Sequence, residues 1–137
     1  MKTIYHGTIN NDIKVLEPRK RYTPGGSDVA DTIEKRIYAT YSPAYAVTHS
    51  FPWSSEDGID VEIKDGVVTL LVPEDKKNLL NTKIYVYSLP DKTFVPTEEE
   101  ETGLTYHSVE SVKPIKCECF PSVFKAMSDF GGVIKFI

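Results

Sequence analysis

Ile4-Tyr5-His6-Gly7-Thr8 opens the chain, and Arg36-Ile37-Tyr38-Ala39-Thr40 answers it further along. Each run carries β-branched and aromatic residues suited to a pleated, half-buried surface. Each ends in small residues with a hydroxyl. Glycine has no Cβ, so another group can come close to the backbone at Gly7. Two such strand ends side by side build a floor of exposed peptide groups with the His6 imidazole beside it. The pair therefore predicts strands over 2–6 and 35–41, with a ligand floor at their tips.

The surrounding stretches supply the rest of the fold. Asn10-Asn11-Asp12 is a turn cluster. Ile13, Val15 and Leu16 then lead to Pro18. Residues 19–32 are polar and carry Pro24-Gly25-Gly26-Ser27-Asp28, a long loop of the kind that is often functional. Ser42-Pro43 starts a short helix, because serine caps well and proline suits the first helical position. It runs on through Ala44, Tyr45, Ala46 and Val47 toward Pro52, and a polar loop follows over 53–60. Asp65-Gly66 between two β-rich runs predicts a hairpin. Further strands are expected over 83–89, from Phe94, over 105–107 and over 112–120. The Glu98–Glu101 run reads as a solvated loop. Pro121-Ser122 opens a helix through Met127 that Gly131-Gly132 ends, and a last strand covers 133–137. Strands outnumber helices. The expected class is α+β, with a mostly antiparallel sheet and a few short helices.

Composition bounds the function. A chain of 137 residues with 40% hydrophobic content fits one domain, 1–137, with its own core. Its 16 basic and 20 acidic residues leave a formal charge of −4. That balance argues against a broad nucleic-acid footprint, although Arg19, Lys20 and Arg21 form a local basic patch. No signal-peptide pattern is apparent, and no apolar run approaches the roughly 20 residues of a membrane helix, so a cytoplasmic protein without a membrane partner is expected. Cys117 and Cys119 would point the same way on a strand and could not easily close a disulfide with each other. A lone C-x-C is a weak metal signal, and buried or half-buried free thiols in a reducing cytosol are expected instead.

The chemical candidates narrow quickly. The histidines are His6, His49 and His107. A histidine behind an aromatic residue is usually a structural hydrogen-bonder, but the Gly7 and Thr8 that follow make His6 a site candidate. No H-E-x-x-H occurs, Gly25-Gly26 lacks a following Lys-Ser/Thr, and Ser54-Ser55 lacks a G-x-S-x-G context. Zinc, P-loop and serine-hydrolase chemistry are set aside, and no metal is expected.

Tyr5-His6-Gly7-Thr8, then Ile37-Tyr38 followed by Ala44-Tyr45-Ala46, resembles the ADP-ribosyltransferase superfamily. The closest likeness is to small rifampin ADP-ribosyltransferases, with a more remote one to poly(ADP-ribose) polymerases. Ile84-Tyr85-Val86-Tyr87, Phe94 and the stretch Tyr106-His107-Ser108-Val109-Glu110 also look similar, in order along most of the chain. The resemblance implies an ADP-ribosyltransferase-like fold, a mostly antiparallel β core of two packed small sheets with a few short helices, and NAD as a substrate. His6 would hydrogen-bond the adenosine-side ribose. The Gly7 backbone would pair with the nicotinamide amide, and Tyr38 would line that pocket. Tyr45 would either stack on the nicotinamide ring, worth about 1–3 kcal/mol, or pack on the core. Thr8, Thr40 and Ser42 complete the implied NAD contacts.

Those enzymes also place an acidic residue on a later motif. Glu110 is the first choice here, to hold a ribose hydroxyl and stabilise the positive charge that develops as the glycosidic bond breaks. It can also be read as an exposed strand-end carboxylate. The Glu98–Glu101 run lies nearer the position where rifampin-modifying enzymes carry their acid, although Val95-Pro96-Thr97 departs from the pattern. His6, Tyr38 and Glu110 are thus the implied catalytic set. Nicotinamide would leave and an acceptor of unspecified class would attack C1 of the ribose. Loops 19–32 and 53–60 would choose the acceptor, with Trp53 as either an acceptor contact or a loop anchor. The rival is an inactive domain that binds an ADP-ribose-type nucleotide or a protein partner, as a bacterial or phage accessory factor would. An RNA 2′-phosphotransferase shares a similar His-Gly-Thr start, but the acidic balance disfavours it.

Overall fold

The computed structural model describes residues 2–19, 35–98 and 103–137. In chain order its elements are β1 (Thr3–Thr8), β2 (Ile37–Ala39), α1 (Pro43–Thr48), β3 (Asp60–Lys64), β4 (Val67–Val72), β5 (Ile84–Pro90), β6 (Val95–Pro96), β7 (Tyr106–Ser108), β8 (Lys116–Phe120), α2 (Val123–Asp129) and β9 (Val133–Phe136). Short 3-10 turns cover Ser55–Asp57 and Glu74–Asn81. The molecule is a mixed α and β protein of small, mainly antiparallel sheets and short helices. No described helix is long and apolar enough to cross a membrane.

β5 organises the interior. It lies between β1 and β8 in an antiparallel sheet of order β1-β5-β8. Its side chains alternate between two hydrophobic clusters. Ile84 and Val86 join Phe120, Leu70, Val72, Val123 and Met127 on one face. Tyr87 and Leu89 join Ile4, Ile37, Ala39, Phe94 and Val112 on the other. A strand covered on both faces reads as a nearly continuous apolar run, and IYVYSL is such a run. The first cluster is roofed by α1, α2 and the sheet β3-β4-β9, in which β9 runs parallel to β4. The second is closed by the sheet β2-β7-β6.

Local chemistry explains the element ends. Ser42 Oγ accepts from the Tyr45 N–H at 3.2 Å and Pro43 fills the first turn of α1. Ser122 Oγ does the same for Lys125 N–H at 3.1 Å in α2, and Gly131 leaves that helix at φ 75°. Asp65 at φ 51° and Gly66 at φ 78° form the tight turn of the β3–β4 hairpin, as their sequence predicts.

Several expectations need correction. The described residues form three three-stranded sheets rather than two, because the β3-β4-β9 sheet stands apart from the other two. β1 continues through Gly7 to Thr8 instead of stopping at His6, since its β5 partner pairs that far. The strand expected from residue 112 begins at Lys116; Val112 makes a single bridge to Leu16, and Pro114, which has no N–H, interrupts the run. The 3-10 segment Glu74–Asn81 was not anticipated. Cys117 and Cys119 are exposed rather than buried or half-buried, because they lie on a strand at the rim of its sheet.

Candidate functional site

The site is a strand pair that opens after one rung. Tyr5 N–H donates to Thr40 O at 2.8 Å and Thr40 N–H donates to Tyr5 O at 2.9 Å, an isolated bridge between β1 and β2. In an antiparallel ladder the next bonded pair would lie two residues along each strand, at Gly7 and Tyr38. That rung is missing. His6 fills the place from the side: its Nδ1 sits 2.7 Å from the Tyr38 carbonyl oxygen. A carbonyl can only accept, so Nδ1–H is the donor and Nε2 carries the lone pair. Peptide groups alternate along a strand, so those of Gly7 point the same way as those of Tyr5, toward the gap left by β2.

Two cavities open at this gap and share His6 and Tyr38 as a common wall. The first, of about 240 Å³, is ringed by Tyr38, Tyr45 and His49, with Gly7 and Thr40 on its floor. Tyr45 belongs to the first core cluster, and its ring meets His49 edge-on at 4.6 Å between centroids. α1 places both, because residues four apart share a helix face. The second, of about 210 Å³, is bordered by Thr8, Asn10, Glu17, Arg19 and Arg36. The two arginines are brought together by a backbone bridge, Arg19 N–H to Arg36 O at 3.1 Å and the reciprocal bond at 2.9 Å. The first cavity is therefore ringed by aromatic side chains, and the second carries two arginines and a glutamate among polar and apolar residues.

Burial is the largest influence on His6 and holds its pKa below the ordinary imidazole value; the Tyr38 carbonyl opposes the shift, and the Arg19 charge adds to it. The imidazole is thus neutral at neutral pH, with Nε2 an acceptor. Arg36 also lies 3.7 Å from the Glu98 carboxylate, with the arginine side chain mostly buried and the glutamate exposed.

The residues singled out from sequence separate into groups. His6 and Tyr38 stand together and line both cavities, and Gly7, Thr40 and Tyr45 line the first. Thr8 lines the second, where its Oγ accepts from the Asn10 N–H at 3.1 Å. Thr40 Oγ is engaged by the Ser42 N–H at 3.1 Å. Ser42 itself caps α1 and lines neither cavity. Glu110 also lines neither; it is exposed past the end of β7, with its N–H bound to Ser108 Oγ at 3.1 Å. Glu99–Glu101 lie outside the described residues, as does the loop 19–32 beyond Arg19. Trp53 is a loop anchor: its Nε1–H donates to Thr48 O at 2.6 Å and its ring packs on the first cluster.

Gly7 has a second reason to be glycine. A Cβ there would press into the Ala46 carbonyl oxygen and stand 2.8 Å from Ser50 Cβ. The close neighbour on that side is the chain's own α1 rather than a foreign group. Sequence reading missed His49, Asn10, Thr105 and Arg36 as lining residues. His49 was findable, four residues after Tyr45 on a helix. Arg36 was not, because only the pairing with Arg19 brings it to the cavity. Among the described residues no group of three or more His, Cys, Asp or Glu side chains is placed to hold a metal ion.

Comparison with known proteins yields no matching family model, no matching curated protein and no matching solved structure.

Proposed function

We propose that the chain binds an NAD-type dinucleotide across the two cavities that meet at His6 and Tyr38, and that it is an ADP-ribosyltransferase-like domain transferring ADP-ribose to an acceptor. The observation that carries this reading is the missing rung between Gly7 and Tyr38, with His6 Nδ1 tied to the Tyr38 carbonyl. A primary carboxamide needs one donor and one acceptor side by side, and a strand residue with an unpaired edge offers both. The Gly7 peptide takes the nicotinamide amide in this way, and the Tyr38 and Tyr45 rings flank the nicotinamide. His6 Nε2 accepts from a ribose hydroxyl. The pyrophosphate runs toward Arg19 and Arg36, whose guanidinium groups suit phosphate oxygens. Nicotinamide departs with the glycosidic electron pair, and the acceptor nucleophile bonds to C1 of the ribose.

A second reading is a binder that does not turn NAD over. It is favoured by the exposed position of Glu110 outside both cavities, since an oxocarbenium-like transition state gains from a fixed carboxylate close by. Calorimetric titration with NAD and with ADP-ribose tests the shared part of both readings, and assay of released nicotinamide separates them. Binding with release supports the transferase. Binding without release supports the binder. No heat and no thermal stabilisation with either nucleotide sinks both. Full NAD cleavage by Glu110→Gln would remove that residue from the catalytic set.

A further inference from the structure

The far side of the β1-β5-β8 sheet carries a feature unrelated to the cavities. β8 pairs with β5 on one edge, and among the described residues no strand pairs with its other edge. An open edge presents a row of backbone donors and acceptors to any strand of matching register. Charged side chains on such a strand normally discourage pairing, but their order here selects a single partner register. Lys116 and Glu118 share one face, with Nζ and Oε1 3.2 Å apart and side chains 62% and 44% exposed. Cys117 and Cys119 share the other face, and both are exposed.

We propose that β8 pairs antiparallel with β8 of a second copy of this chain, about a two-fold axis through Cys117. In that register Lys116 stands opposite Glu118 of the second copy, and Glu118 opposite its Lys116. Two cross-strand ion pairs form by symmetry, as a self-complementary interface requires. Sliding by two residues one way sets Glu118 against Glu118, and the other way Lys116 against Lys116, both like-charge contacts. Sliding by one exchanges the faces and loses both pairs. The charges therefore reject the neighbouring registers and keep one.

The thiols report on this register. Directly opposed residues of an antiparallel pair have Cα atoms about 4.5–5.5 Å apart, inside the roughly 4.4–6.8 Å range of disulfides. Cys117 faces Cys117 across the axis. Cys119 falls opposite Ile115 and has no thiol within reach.

The test uses the full chain in solution. Light scattering after size exclusion should give a mass that rises toward twice that of the chain as concentration increases. Diamide, which accepts two electrons and two protons from two thiols, should link the dimer through a disulfide. Cys119→Ser should keep the linked species and Cys117→Ser should lose it. Lys116→Glu and Glu118→Lys should each be monomeric alone and should associate when mixed one to one, because the mixture restores both ion pairs. A monomer at every concentration, crosslinking that follows Cys119, or charge variants that fail to associate on mixing would each overturn the proposal.

Discussion

β1 has two edges with opposite fates. On the β5 side it pairs through six consecutive residue pairs, Thr3 with Pro90 to Thr8 with Tyr85. On the β2 side it makes one rung, Tyr5 with Thr40, and then parts. One short strand supplies both edges through alternate residues, so strand propensity alone does not explain the difference. The β5 edge is held closed because Ile4, Tyr87 and Leu89 bury together on one face and Val86 and Ile84 on the other. The β2 edge is held open by His6, which takes the Tyr38 carbonyl that the Gly7 N–H would have used. A completed ladder builds the scaffold, and an interrupted one leaves peptide groups for a ligand.

The strongest way to break this contrast is at the closed edge. Ile4 is fully buried, and Ile4→Ala should lower unfolding free energy by about 2–5 kcal/mol in urea titrations. Nucleotide affinity of the protein that remains folded should change little. An unchanged urea midpoint would show that the closed edge is not where stability resides.

Gly7→Ala acts where the two edges meet. The added methyl meets the Ala46 carbonyl and Ser50, so a loss of about 1–3 kcal/mol is expected, with weaker NAD binding because α1 and Tyr45 are displaced. Wild-type stability and affinity together would show that α1 yields to the methyl at no cost.

At the open edge the effect should fall on the ligand more than on the fold. His6→Leu removes both the tie to Tyr38 and the Nε2 acceptor. About a tenfold loss in NAD affinity, near 1.4 kcal/mol, is expected by calorimetry. If the urea midpoint falls as far as in Ile4→Ala while affinity holds, His6 belongs to the scaffold and the contrast fails.

The smallest effect is the pH response of His6. Its folded-state pKa lies below the value of about 6.5 expected for the unfolded chain. Between the two values the unfolded state binds more protons, so stability rises with pH across that window. The contribution is whole above about pH 6.5 and declines as pH falls toward the folded pKa. The His6 ring resonances should titrate below the ordinary midpoint. A midpoint above it would mean that a charged imidazole holds the Tyr38 carbonyl.

Much of the local structure was legible in the residues. Asp65-Gly66 forecast its turn because each residue tolerates positive φ, and Ser42-Pro43 and Ser122 forecast helix starts through their caps. Strand ends were less legible. β1 runs to Thr8 because β5 continues beside it, a fact held by a segment far away in sequence. The thiols looked like interior residues because cysteine usually is, and only the place of β8 at a rim exposes them. In the site, His6, Gly7 and Tyr38 stood out from short motifs, whereas Arg36 reached it through a bridge to Arg19 and Glu110 stayed outside both cavities.

Side-chain type and period settle what each segment of this chain is able to become, since dihedral preference, capping and apolar alternation act over a few residues. Which strand edges close and which open depends on distant partners competing for the same carbonyls and the same buried area. The gap between Gly7 and Tyr38 exists because an imidazole, a helix end and two hydrophobic clusters converge there, and that convergence is a property of the folded chain.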